Sequence, residues 1–205
     1  MIKTFSSRAG RLSPTNIKFL EKKSQCILGL GDAPNTNKPI VIDIGFGDAQ
    51  SFSKDVLANQ AYCFIGIEPY KKGFARAIEF YETYKPDNLF LFNGDAREYI
   101  ESVDFDIPYI RIHFPDPWPK KRHHKRRIIN DGFIQLISKK LIPNGLVNIS
   151  TDWENYAEQI DGLFSGRRDF KKKRFSERAL STKFEERGVV LGHEIYDFCF
   201  KLVSQ

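Results

Sequence analysis

Short apolar runs alternate with amphipathic stretches along most of this chain. The run Pro39-Ile40-Val41-Ile42-Asp43-Ile44 stops at Gly45-Phe46-Gly47, and apolar positions then recur at helical spacing from about residue 49 to 58. A second run, Ala61-Tyr62-Cys63-Phe64-Ile65-Gly66-Ile67, precedes a helical pattern over residues 74–84. Leu89-Phe90-Leu91-Phe92 is the third, ending in Asn93-Gly94-Asp95-Ala96. Tyr109-Ile110-Arg111-Ile112-His113-Phe114 is the fourth, residues 128–141 read as a helix, and Gly145-Leu146-Val147-Asn148-Ile149-Ser150 is the fifth. A helix follows Trp153 to about Phe164, and residues 194–202 read as a final hairpin strand. Strands this short, and apolar on both faces, predict a parallel sheet covered by helices: an α/β doubly wound fold.

Ahead of this alternation, residues 1–38 read as an N-terminal extension, with Arg8, Arg11 and Lys18, a short helix within residues 14–25 and a loop over residues 31–37. Residues 39–205 read as one domain, since 205 residues exceed the soft prior of ~150 per domain by too little for two. The 41% hydrophobic and 28% charged residues suit a soluble globular protein and exclude collagen-like or wholly disordered chains. No apolar run approaches the ~18 residues of a membrane helix, and the opening residues lack the apolar block of a secretory signal. The expectation is a cytoplasmic protein with no membrane partner. Cys26, Cys63 and Cys199 are too few and too widely spaced for a disulfide framework or a zinc site.

Charge changes this picture through its distribution. The formal net charge is +6, yet Lys120, Lys121, Arg122, Lys125, Arg126 and Arg127 put six cations and no acid between Trp118 and Arg127. A second basic segment lies between Arg167 and Arg178. A mildly acidic body with two concentrated basic segments fits a phosphate backbone better than a uniformly basic surface would. Each segment taken alone also reads as a solvated face. The tandem His123-His124 suggests a metal, but neighbouring cations would repel one and no third ligand is evident.

Ligands of doubly wound sheets lie at the carboxyl ends of the strands. There the first strand carries Asp43 with Gly45 and Gly47, whose lack of side chains lets backbone approach a ligand. The third glycine of a dinucleotide fingerprint would fall at Gln50, so a pyrophosphate site is not supported. The second strand ends at Glu68, placed to accept from the hydroxyls of a ribose, and the third at Asp95 and Ala96, where a carboxylate can accept from the exocyclic amine of adenine. Acid beside the glycines favours a cofactor bearing a cationic amino group. S-adenosylmethionine meets that description and NAD does not. Helix capping and turn formation are the alternative roles for each acid.

The stretch Phe114-Pro115-Asp116-Pro117-Trp118-Pro119-Lys120-Lys121-Arg122-His123-His124-Lys125-Arg126-Arg127 follows the fourth strand, and its prolines stiffen the loop around Asp116. With Ser150-Thr151-Asp152-Trp153-Glu154 and Ser181-Thr182-Lys183-Phe184-Glu185-Glu186-Arg187-Gly188, it resembles the bacterial tRNA (guanine-N7)-methyltransferase family, TrmB. The resemblance runs from Ile42 to Phe200, with a fainter echo in Arg8-Ala9-Gly10-Arg11. It implies a Rossmann-like S-adenosylmethionine-dependent methyltransferase fold, a mostly parallel seven-stranded sheet with an antiparallel C-terminal strand. It also implies methyl transfer to N7 of the variable-loop guanine at position 46 of tRNA. On matching residues it places Asp43, Glu68, Asp95 and Asp116 with the cofactor, Asp116 as catalytic residue, and Lys120, Asp152, Thr182, Lys183, Phe184 and Glu185 with the substrate. Arg122, His123, His124, Lys125, Arg126 and Arg127 match a stretch that holds tRNA. Asp43 stands where many relatives have Glu, and Arg11-Leu12-Ser13-Pro14-Thr15-Asn16 departs from the family's opening.

Guanine N7 keeps a lone pair at neutral pH, so the reaction asks for placement of the base and not for a proton acceptor. Asp116 is expected to orient the base or the cofactor's amino group, and Trp118 to form a stacking wall for the base or an anchor for the loop. An amino-group methyltransferase, a non-enzymatic RNA-binding module and an NAD-dependent reductase are the competing readings. Oligomeric state stays open, a monomer being slightly favoured.

Overall fold

A computed structural model describes residues 2–5, 11–174 and 194–203. Seven strands form one sheet in the order β3-β2-β1-β4-β5-β7-β6, and the chain divides into two compact units, Ser7–Phe105 and Met1–Ser6 with Asp106–Gln205.

The first unit holds α1 (Pro14–Leu20), β1 (Ile40–Ile44), α2 (Gln50–Ala58), β2 (Cys63–Ile67), α3 (Lys71–Tyr84), β3 (Leu89–Phe92) and α4 (Ala96–Ser102). Its strands pair in parallel, Ile44 opposite Ile67 and Ile67 opposite Phe92, so their carboxyl ends align. Ile42, Ile65 and Leu91 are fully buried, as strands covered on both faces require. Part of residues 1–38 is built into this unit. Ser13 and Asn16 cap α1 reciprocally, Lys22 and Ser24 bind Glu82 of α3 at 2.7 and 2.6 Å, and Ile27 bridges to Leu91 beside β3.

In the second unit, β4 (Ile107–His113) and β5 (Leu141–Thr151) are parallel, with α5 (Asp131–Lys140) between them in the chain and α6 (Glu154–Ser165) after them. The strand β7 (Tyr196–Leu202) returns antiparallel against β5 and pairs on its other side with β6 (Phe170–Lys173).

Two of these elements depart from the sequence expectation. No helix was read beyond the strand end at residues 93–96, yet Asp95 accepts from the Arg97 backbone amide at 3.0 Å, the capping role that was the alternative for each acid, and starts α4; Glu98 three residues on was the capping signal. No strand was read in the second basic segment, yet Phe170 anchors residues 170–173 as an edge strand by packing edge-on to Phe164 at 5.1 Å. Lysine along that edge resists pairing with another sheet. Its Lys172 is held by Asp161 at 2.6 Å and lies 5.0 Å from the Phe198 ring.

Asn88 links three elements of the first unit from a fully buried position, its amide donating to Val56, Asn59 and Tyr62 carbonyls at 3.1, 3.4 and 3.1 Å. Replacing it with Ala strands those acceptors and is expected to cost about 1–3 kcal/mol in urea unfolding; an unchanged midpoint contradicts the assigned role.

Candidate functional site

The chain turns from β1 into α2 through a backbone few residues accept. Gly45, Gly47 and Ala49 have φ of 77°, 63° and 67°, all in the left-handed region. Phe46 folds back to stack on Phe52 at 4.8 Å, and this ring pair sits over Gly66 of β2, where a Cβ would come within 2.6 Å of the Phe52 ring.

Glu68 clamps this turn. It is 2% exposed, one carboxylate oxygen accepts from the Gly47 amide at 2.7 Å, and the other accepts from the Tyr70 amide at 2.8 Å. The same carboxylate therefore secures both the β1–α2 and the β2–α3 turns. At Gly73, on the first turn of α3, an added Cβ would lie 1.8 Å from the Gly47 carbonyl oxygen. Gly73 was not singled out from the sequence; a glycine five residues after the ribose-directed acid, in a helical pattern, was the available signal.

The other acids of this unit sit as the alternation predicted, at strand ends. Asp43 is buried in β1 opposite Gly66, and Asp95 and Ala96 follow β3. Asp95 is both helix cap and ion-pair partner: Arg97 reaches its two oxygens at 2.9 and 2.5 Å. Burial opposes its charged form, but the hydrogen bonds from Arg97 outweigh this and hold the carboxyl below its ordinary pKa. Strand ends offering carboxylate acceptors, with backbone approaching where side chains are missing, fit a ribose and an amino group.

The second unit presents the proline-framed loop. Phe114 and Trp118 bracket it, with φ of 50° and 45° in the left-handed region that bulky residues avoid. Three hydrogen bonds hold that strain: the Phe114 amide donates to the Ser150 carbonyl at 2.8 Å, the Trp118 indole to Thr4 at 2.9 Å, and Arg127 Nε to the Pro117 carbonyl at 2.8 Å. Asp116 is exposed on this loop, and Lys120 is exposed just beyond it. His113 lies opposite Ser150 in the parallel β4–β5 pair, so Asp116 and Asp152 both follow strand ends on one side of that pair. Trp118 is committed as an anchor, with Arg126 4.8 Å above its ring and His123 edge-on at 5.9 Å.

The cationic run forms a 3-10 turn, Lys121–Arg126. Lys121, Arg122 and Lys125 are exposed; His123, His124 and Arg126 are half-buried. Partial burial, then the surrounding cations, hold His123 below its ordinary pKa. Arg127 corrects the sequence reading. It is 1% exposed, and its guanidinium is spent inside the protein, so it does not stand among the outward phosphate ligands. Thr182, Lys183, Phe184 and Glu185 lie outside the described residues. Among the described residues, no group of three or more His, Cys, Asp or Glu is arranged to hold a metal ion. No helix among them is long and apolar enough to cross a membrane.

A family model described as a putative methyltransferase matches residues 37–198. The tRNA (guanine-N(7)-)-methyltransferase of Nitrosococcus oceani is 34% identical over 213 residues, covering 98% of this chain and 90% of its own. That of Alcanivorax borkumensis is 33% identical over 217 residues, covering 98% and 91%. Among solved structures, a 30S ribosomal A1408 methyltransferase from an uncultured bacterium shares the fold, with a TM-score of 0.57 at 19% identity over 82% of this chain and 90% of that one.

The Gly47–Gly73 contact has a direct consequence. Gly73→Ala forces the turn away from Glu68 and is expected to cost about 1–3 kcal/mol of stability, together with at least a tenfold loss of S-adenosylmethionine affinity by calorimetry. Wild-type affinity in the folded variant would show that the turn is not part of the binding site.

Proposed function

Because this chain belongs to the tRNA (guanine-N(7)-)-methyltransferase family, we propose that it methylates N7 of guanine 46 in the variable loop of tRNA, with Asp116 orienting the base. S-adenosylmethionine, when bound, supplies a methyl group made electrophilic by its sulfonium. In this reading Glu68 accepts from the ribose hydroxyls, Asp95 from the adenine amine and Asp43 from the amino group, while Gly45, Gly47 and Ala96 bring backbone close. Lys120, Asp152 and residues 182–185 hold the substrate nucleoside.

The observation that carries this reading is the strained loop of residues 114–118. Its backbone is held at three points while its one carboxylate is exposed, as an orienting group needs. Asp116 accepts from the N1 and N2 hydrogens of guanine, turning N7 toward the methyl carbon and offsetting the positive charge that develops on the purine. No group has to remove a proton before attack. A proton-abstracting His or Cys has no task here, in keeping with Cys26, Cys63 and Cys199 being buried and free.

Arg122, Lys125 and Lys121 carry the tRNA backbone, with Arg126 behind them on Trp118. Binding to tRNA is then expected to weaken steeply with salt, and Arg122→Ala or Lys125→Ala to reduce the slope of log K against log salt by about one each. Incubation with labelled S-adenosylmethionine and unmodified tRNA, followed by nucleoside analysis, is expected to give 7-methylguanosine, and to give none with guanine 46 replaced. Methyl on an exocyclic amine would support the amino-group alternative instead. Asp116→Ala is expected to lower kcat by about 100-fold or more; near-normal turnover removes Asp116 from the centre.

A further inference from the structure

Arg127 closes the most basic stretch of the chain, yet it is the largest fully buried side chain among the described residues. Its contacts use four of the five guanidinium N–H donors. Nε donates to the Pro117 carbonyl at 2.8 Å, one terminal nitrogen to Gln159 Oε1 at 2.6 Å and to the Asn155 carbonyl at 3.4 Å, and the other to Asn155 Oδ1 at 3.1 Å. Its plane lies 4.6 Å from the ring of Tyr156, which is itself fully buried and accepts from the Ile129 amide at 3.0 Å. Gln159 in turn donates to the Ile129 carbonyl at 3.0 Å. Among the described residues no carboxylate pairs with this cation; every acceptor it uses is a neutral oxygen.

Such a buried charge is costly unless each donor finds an acceptor, and here the acceptors belong to two places only. One is the Pro117 carbonyl, next to Asp116; the others are on α6, on the first two turns that follow Asp152. We propose that Arg127 is a positioning residue: a strut that ties the Asp116 loop to α6 and fixes the direction of the Asp116 carboxylate, instead of contacting tRNA. Resting on the reading that Asp116 orients the base, it adds that the orientation is set from α6 through a guanidinium fork. Only arginine supplies donors in three directions in one plane, so lysine cannot replace it, whereas at a phosphate lysine serves about as well.

That difference makes Arg127→Lys the decisive variant. Expected is a fall in kcat of about tenfold or more, with KM for tRNA and the salt slope of tRNA binding within twofold of wild type. A Lys variant with wild-type kcat overturns the proposal in favour of a phosphate contact, which lysine would preserve. Asn155→Ala, at an exposed position on α6, covers the case in which the lysine variant does not fold. It removes one acceptor and is expected to lower kcat about threefold to tenfold at unchanged KM; an unchanged kcat contradicts the strut. A third readout needs no activity. In a Trp153→Phe background Trp118 reports the loop alone, and Arg127→Lys is expected to raise its acrylamide quenching; unaltered quenching shows the loop held without Arg127. If the wild-type protein fails to methylate guanine N7, the functional reading falls, while the quenching result still decides the strut.

Discussion

A carboxylate buried at the end of a strand is tolerable only if donors meet it, and Glu68 meets two backbone amides. Because those amides, from Gly47 and Tyr70, begin successive turns, one side chain sets the path of both. The turns are then compressed against each other until only hydrogen fits at Gly73. Left-handed φ at residues 45, 47 and 49 is the geometric cost of that approach, and two of the three positions are glycine. The result is a rim of backbone and carboxylate at the aligned ends of β1, β2 and β3. A rim of that kind can receive hydroxyls and amines without rearranging, which is the requirement for binding a nucleoside through its sugar and base edges.

The second unit solves a related problem with the opposite charge. Its loop of residues 114–118 has two bulky residues in a conformation they disfavour, and prolines at 115 and 117 remove amide donors that would otherwise help hold it. Carbonyls must therefore do the holding, and a carbonyl needs a donor. Arg127 supplies one from below, and Trp118 adds its indole at the far end. A cation suits the task better than a neutral amide because its hydrogen bonds contribute about 1.5–3 kcal/mol each, enough to offset backbone strain of similar size.

Much of this was legible in the sequence. Apolar runs of four to seven residues gave the strands, and the acids just beyond them gave the rim, because both follow from the burial of a parallel sheet on its two faces. Asp95 shows where the inference stops: the sequence places a carboxylate there, but only the fold shows Arg97 folding back onto it. The edge strand β6 was hidden because three lysines in a row have no strand periodicity; it exists because Phe170 packs with Phe164, which in turn stacks on Phe200 at 3.8 Å. Arg127 was misread for the same reason. Charge runs are read by composition, whereas burial depends on which residue the chain turns inward, and Tyr156, Asn155 and Gln159 lie about thirty positions away.

Removing Arg127 from the outward charge, with His123 held below its ordinary pKa, changes the reading of the basic run. Exposed Lys121, Arg122 and Lys125 remain as outward cations on one short turn, with Arg126 stacked on Trp118. Outward ammonium and guanidinium groups can meet a phosphate backbone over a range of positions, so in the proposed reading they give affinity without defining a register. Register has to come from groups that are held, and the same stretch supplies them: the Trp118 indole tethers the loop that carries Asp116 to the Thr4 carbonyl, and the buried fork of Arg127 holds the same loop at the Pro117 carbonyl. A single run of fourteen residues, 114 to 127, thus separates the two tasks by burial alone. In the proposed reading, cations that face solvent gather the tRNA backbone, and the cation that faces inward determines where one carboxylate points.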